Sequence, residues 1–129
     1  MSMNDPLAAA MSKIGNAEKL GRQTCAVASS NIIKNVLALM NEKMYLGEFA
    51  GTYEPKGGIL TVNLLGRINK CGAIKPRFSI KKGDYEKFEK RYLPAADFGF
   101  LVVSTSSGLL THVEAKKKNL GGRLIAYFY

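Results

Sequence analysis

The chain has 129 residues, 47% of them hydrophobic, with a net charge of +9 and an isoelectric point near 9.7. That length suits one domain or two very small modules, and the apolar fraction supports a modest core. No apolar run is long enough to span a membrane, and the opening MSMNDPLAAAMSK lacks the basic and apolar regions of a secretory signal, so a cytosolic chain with reduced Cys25 and Cys71 is expected.

Taken in order, Asp5-Pro6 is a helix-start signal, with Asp as cap and Pro at the first helical position. Leu7, Met11 and Ile14 follow at helical spacing, and Gly15-Asn16 reads as the end of that helix, with a charged loop over 16–22. QTCAVA at 23–28 alternates as a short strand with Cys25 and Val27 on one side. Ser29-Ser30-Asn31 opens a second helix, whose apolar face is Ile33, Val36, Leu37, Met40 and Met44 and whose stop is Gly47. The five methionines read as core gap-fillers. Residues 48–54 and 59–65 form a hairpin around Pro55-Lys56-Gly57-Gly58. Residues 1–65 are therefore an α-β-α-β-β module, a sheet covered by two helices.

Charge divides the chain at the same place. Residues 1–65 carry six Lys/Arg and five Asp/Glu, whereas 66–129 carry thirteen and five. A basic half beside a nearly neutral one suggests a single polyanion-facing surface. The stretch 66–82 holds six basic residues and no acid, broken by Gly72 and Pro76, and reads as two strand pieces near 66–70 and 77–81. Phe78 sits among these cations, where a ring can stack on an unpaired base or fill the core. Tyr85, Phe88 and Tyr92 mark one face of a helix over 84–92, with Glu86 and Lys90 at ion-pair spacing. FGFLVV at 98–103 reads as a buried strand.

That strand delivers Ser104-Thr105-Ser106-Ser107-Gly108 to the surface, a turn that exchanges hydrogen bonds at close range without bulk. Thr111 and Glu114 form a capping box for a short helix ending in Lys116-Lys117-Lys118. Asn119, Gly121 and Gly122 turn the chain into a closing strand, RLIAYFY, with Leu124, Ala126 and Phe128 on one face and Arg123, Ile125, Tyr127 and Tyr129 on the other. Short hydroxyls beside lysines suit sugar, phosphate and base edges better than an apolar ligand.

Catalytic alternatives have little material. A hydrolase would need a serine of 104–107 with His112, the sole histidine, and no nucleophile-elbow pattern surrounds them. Two cysteines and one histidine do not match structural-zinc spacing, and no phosphate-binding glycine pattern occurs, so no cofactor or metal is expected.

The stretch STSSGLLTHVEAKKKNLGGRLIAYFY closely resembles the C-terminal signature of the S-eight family of small-subunit ribosomal proteins. The opening MSMNDPLAAAMSKIGNA resembles that family's start, while IKPRF at 74–78 and DYEKFEKRYLPAADFG resemble its archaeal branch. The resemblance implies an α+β protein of two modules, 1–65 and 66–129. It implies a non-catalytic structural constituent of the small ribosomal subunit that binds the central domain of its RNA, supports platform assembly and touches neighbouring ribosomal proteins. The turn Ser104, Thr105, Ser106, Ser107 and Gly108 is then expected to contact a base in an irregular RNA helix, with Phe78 alongside. Arg77, Lys116, Lys117, Lys118 and Asn119 extend that surface. Asn4, Asp5, Ser30, Asn31 and Lys34 are expected against an adjacent minor groove. His112 stands where bacterial relatives have an acid and receives no role. Bacterial members also repress their own messenger, which leaves a free-standing messenger-binding regulator as the alternative.

Overall fold

The structure, a computed structural model, describes residues 6–51, 58–75, 77–81, 83–95 and 98–129. The fold is α+β, with two antiparallel sheets and four helices among the described residues. It falls into two compact units, Met1–Cys71 and Gly72–Tyr129.

In the first unit, α1 (Pro6–Lys19), β1 (Thr24–Ala28), α2 (Asn31–Glu42), β2 (Leu46–Gly51) and β3 (Ile59–Leu64) follow the expected order. The sheet order is β1-β3-β2, both pairings antiparallel. Val27, Leu60 and Val62 are buried beneath the helices, whereas Thr24, Ala26, Thr61 and Asn63 alternate outward and are exposed. Leu7, Met11 and Ile14 of α1 and Ile33, Val36, Leu37 and Met40 of α2 supply the rest of this core.

Two helix ends differ from expectation. α1 runs through Gly15-Asn16 to Lys19, because Ala17 extends the buried stripe and Glu18 has a tertiary partner. The two Glu18 carboxylate oxygens accept the Gly66 and Ile68 N–H groups at 3.2 and 3.0 Å. The true stop is Gly21, at φ +71, with Arg22 N–H donating to Ala17 and Gly21 N–H to Glu18, a Schellman closure. α2 ends at Glu42, not at Gly47. Its left-handed closing position is Met44, at φ 67 and 58% exposed, so Met44 is a helix terminus and not part of the core stripe.

The second unit is built on β4 (Cys71–Ala73), β5 (Ser79–Ile80), α3 (Tyr85–Tyr92), β6 (Phe100–Thr105), β7 (Gly108–Thr111), α4 (His112–Lys117) and β8 (Gly122–Phe128). The strand order is β4-β8-β6-β7, and β5 also pairs with β8. The first basic strand piece thus lies at 71–73 and not at 66–70, since Gly66 at φ +73 and the Glu18 anchor hold the earlier residues in an irregular loop. β7 is an added strand, pairing Thr105 with Gly108 and Val102 with Thr111.

Ile74, Ile80, Tyr85, Phe88, Leu93, Leu101, Val103, Ala115 and Leu124 form one core cluster, with Phe78, Tyr92, Tyr127 and Tyr129 packed on it. A bulge between Val102 and Val103 shifts the β6–β8 register. A bulge exchanges the sheet faces of the residues beyond it. Leu124 therefore shares a cluster with Tyr127 and Tyr129, and the strict alternation expected for the last strand does not hold.

Candidate nucleic-acid interface

The serine turn is the tip of the β6–β7 hairpin. Gly108, at φ +99, supplies the conformation that a tight hairpin reserves for glycine. Thr105 organises the tip: its Oγ1 accepts the Ser107 N–H at 3.1 Å and donates to the Gly108 carbonyl at 2.8 Å. Its hydroxyl is thereby committed inside the turn, an ST-turn bond that fixes the loop. Ser104, Ser106, Ser107 and Gly108 are exposed, and the side-chain hydrogen bonds of the turn are made by Thr105, not by the serine hydroxyls.

The lysine run divides similarly. Thr111 caps α4, accepting the Glu114 N–H at 3.3 Å and donating its hydroxyl to the Glu114 carboxylate at 3.1 Å. Lys116 donates from Nζ to Glu89 Oε1, which lies on α3 with 11% of its side chain exposed. Lys117 and Lys118 are exposed. Asn119 closes α4 at φ 56, with Leu120 N–H donating to Ala115 and Asn119 N–H to Lys116. The Tyr85 hydroxyl donates to the Leu120 carbonyl at 2.6 Å, tying this end of α4 to α3. Burial pushes the Tyr85 phenol above its ordinary pKa, so the hydroxyl keeps the proton that makes this bond.

His112 is 1% exposed. Its Nδ1 accepts the Leu101 N–H at 3.1 Å, so the ring proton sits on Nε2, which lies 3.0 Å from Glu89 Oε1. Both nitrogens point into the unit's interior, where neither serves a serine at the hairpin tip. Among the described residues no group of three or more His, Cys, Asp or Glu side chains could hold a metal ion.

Phe78 is half-buried. Its ring centroid lies 5.5 Å from that of Phe88, and the Arg91 guanidinium sits 5.1 Å from its centre. A base stacking on Phe78 would therefore share the ring with Arg91. Arg77 is exposed. In the first unit, Ser30 is the α2 cap and accepts the Ile33 N–H at 3.3 Å, whereas Asn31 and Lys34 are exposed. Asn4 and Asp5 lie outside the described residues.

Sequence reasoning missed two residues, Ser79 and Arg123, that register brings to Ser104. Ser79 of β5 pairs with Arg123 of β8, and Arg123 pairs with Ser104 of β6. Directly opposed residues face the same side of a sheet, and all three are exposed. Lys81, just past β5, is exposed as well. The signal was faint: Arg123 already stood on the outward side of the closing strand, but only the pairing shows what flanks it.

Residues 5–129 match the family described as Ribosomal protein S8, and the chain belongs to that family. It is accordingly a ribosomal protein of the small subunit that binds ribosomal RNA alongside other ribosomal proteins, a structural and non-enzymatic class.

Proposed function

We propose that this S8-family protein binds the central domain of small-subunit RNA directly and fixes one irregular helix there, so that platform proteins can assemble on it. The observation that carries this reading is the hairpin tip. Thr105 holds the backbone from within, and Ser104, Ser106 and Ser107 present their hydroxyls to solvent. Preorganised short donors and acceptors suit the edges of unpaired bases, which is where sequence-specific RNA recognition concentrates. Lys117, Lys118, Arg77 and the exposed cations nearby supply the salt-dependent part of the affinity.

In this reading Lys116 positions α4 through Glu89, Thr105 positions the turn, and Asn119 shapes the end of α4, each at one remove from RNA. Asn31 and Lys34 add a second, weaker contact from the first unit, and the half-exposed ring of Phe78, already covered in part by Arg91, adds a stacking surface. The motifs IKPRF and DYEKFEKRYLPAADFG support an archaeal-type member. The protein's own messenger would be a second ligand only if it presents the same irregular helix. Hydroxyl-radical footprinting of the full chain on complete small-subunit RNA tests this. Protection of one internally irregular helix in the central domain is expected, and an unlabelled messenger leader should compete only where it folds alike. Protection scattered along regular duplexes, or confined to another domain, refutes the proposal.

A further inference from the structure

Gly121-Gly122 does more than return the chain to its last strand. β8 begins at Gly122 between β5 and β6. A Cβ on Gly122 would collide with the Ser104 carbonyl oxygen, and one on Gly121 would come within 2.6 Å of the Ile80 carbonyl oxygen. Both glycines are half-exposed. They form a floor without side chains, with β5 on one side and the strand leading to the serine turn on the other. Neither has a positive φ, so close backbone approach, and not turn geometry, requires glycine here.

The rim of this floor is cationic and hydroxylic. Arg123 stands at its end in a row with Ser79 and Ser104, which spans about 10 Å across two strand spacings. Lys81 follows Ile80, and its Cα lies 3.4 Å from where a Gly121 Cβ would be. Among the described residues no carboxylate forms an ion pair with Arg123 or Lys81. An exposed arginine on a sheet that makes no ion pair with a described carboxylate, flanked by two serines and next to bare backbone, fits an approaching anion better than it fits a structural ion pair.

We propose that an RNA phosphodiester crosses the Gly121-Gly122 floor, held by Arg123 and Lys81, with Ser79 and Ser104 donating hydrogen bonds from either side. This rests on the RNA-binding reading above and adds a backbone clamp beside the base-reading turn. The clamp fixes the register in which bases meet Ser106 and Ser107.

The test is the affinity of the full chain for a central-domain RNA fragment over a potassium chloride series. Arg123→Gln and Lys81→Gln should each lower the slope of log K against log salt by about 0.7–0.9, the value for one lost phosphate contact. Arg123→Lys should keep the slope. Lys90→Gln, which removes an exposed helix cation 3.8 Å from Glu86, should leave the slope as in the wild type. Unfolding midpoints equal to the wild type show that each variant is folded. An unchanged slope in Arg123→Gln overturns the proposal. So does a loss of affinity at constant slope that Arg123→Lys does not rescue, which would mark a base-edge contact. A wild type that binds this fragment no better than an unrelated duplex overturns the RNA reading itself, and the clamp with it.

Discussion

Substitution of Gly122 by alanine should damage the second unit more than any other single methyl group added at a glycine of non-positive φ there. The added Cβ would overlap the Ser104 carbonyl oxygen, lie 2.9 Å from the Ser104 carbonyl carbon and 3.2 Å from Val103 Cγ1. Two of these three atoms are strand backbone, which cannot rotate away. Relief requires opening β6 from β8 at Ser104↔Arg123. That loses one or two ladder hydrogen bonds at about 1 kcal/mol each, and crowding in a packed region adds about 1–3 kcal/mol. The sum is about 2–5 kcal/mol. For a small unit each kcal/mol moves the midpoint by about 4–8 °C, so thermal unfolding followed by circular dichroism should show a fall of at least about 8 °C. Gly83→Ala is the internal contrast. Nothing lies within 4 Å of its Cβ position and its φ is not positive, so it should be neutral or stabilising by about 0.4–1 kcal/mol. A Gly122→Ala midpoint within 2 °C of the wild type, on the order of the Gly83→Ala shift, would refute the close-approach argument.

Thr105→Val should weaken specific RNA binding by about 1–2 kcal/mol although it removes no exposed hydroxyl, because Ser107 N–H and the Gly108 carbonyl lose their shared partner; equilibrium filter binding reads this. Met44→Gly should stabilise the first unit by about 0.5–1 kcal/mol in urea unfolding, since a non-glycine residue at φ 67 carries a left-handed penalty. Glu89→Gln should lower stability by about 1–3 kcal/mol, because His112 Nε2–H and the Lys116 ammonium lose a charged acceptor in a nearly buried site. Cys71, pushed up to about 12 chiefly by burial, donates from Sγ to the Met11 carbonyl at 3.4 Å. Its folded pKa lies above its unfolded value, so its contribution is complete below pH 9 and is lost as pH rises from about 9 toward about 12. An alkylating probe at pH 8 should accordingly label Cys71 in denatured chains far faster than in folded ones.

Much of this architecture was legible because its signals are local. The spacing of Ile33, Val36, Leu37 and Met40 and of Tyr85 and Phe88 survives in the fold as buried helix faces. So does the Thr111–Glu114 cap. The serine turn was visible because four small hydroxyl residues follow an apolar strand and end at a glycine. What failed depended on partners distant in sequence. Gly15-Asn16 looked like a stop, but Glu18 reaches residues 48 and 50 positions away, and α1 continues to hold it there. Gly47 looked like the end of α2, but the chain accepted a left-handed Met44 to close the helix earlier. β7 escaped notice because Leu109 and Leu110 are too few to show alternation between a turn and a cap. The bulge opposite Val102 is a property of two strands together, so neither strand's sequence announces the regrouping of Leu124 with Tyr127 and Tyr129. The same holds for the site, where Ser79, Arg123 and Ser104 meet only through strand pairing.

The most direct test of the RNA-reading turn is the affinity of the double variant Ser106→Ala, Ser107→Ala for a central-domain RNA fragment at one fixed salt concentration. Both side chains are exposed, so the fold should be retained. Each lost polar contact should cost about 1–2 kcal/mol, which predicts a dissociation constant raised by roughly 30-fold to 1000-fold for the pair, with binding to unrelated duplex RNA unchanged. An affinity equal to the wild type in a folded double variant would contradict the account.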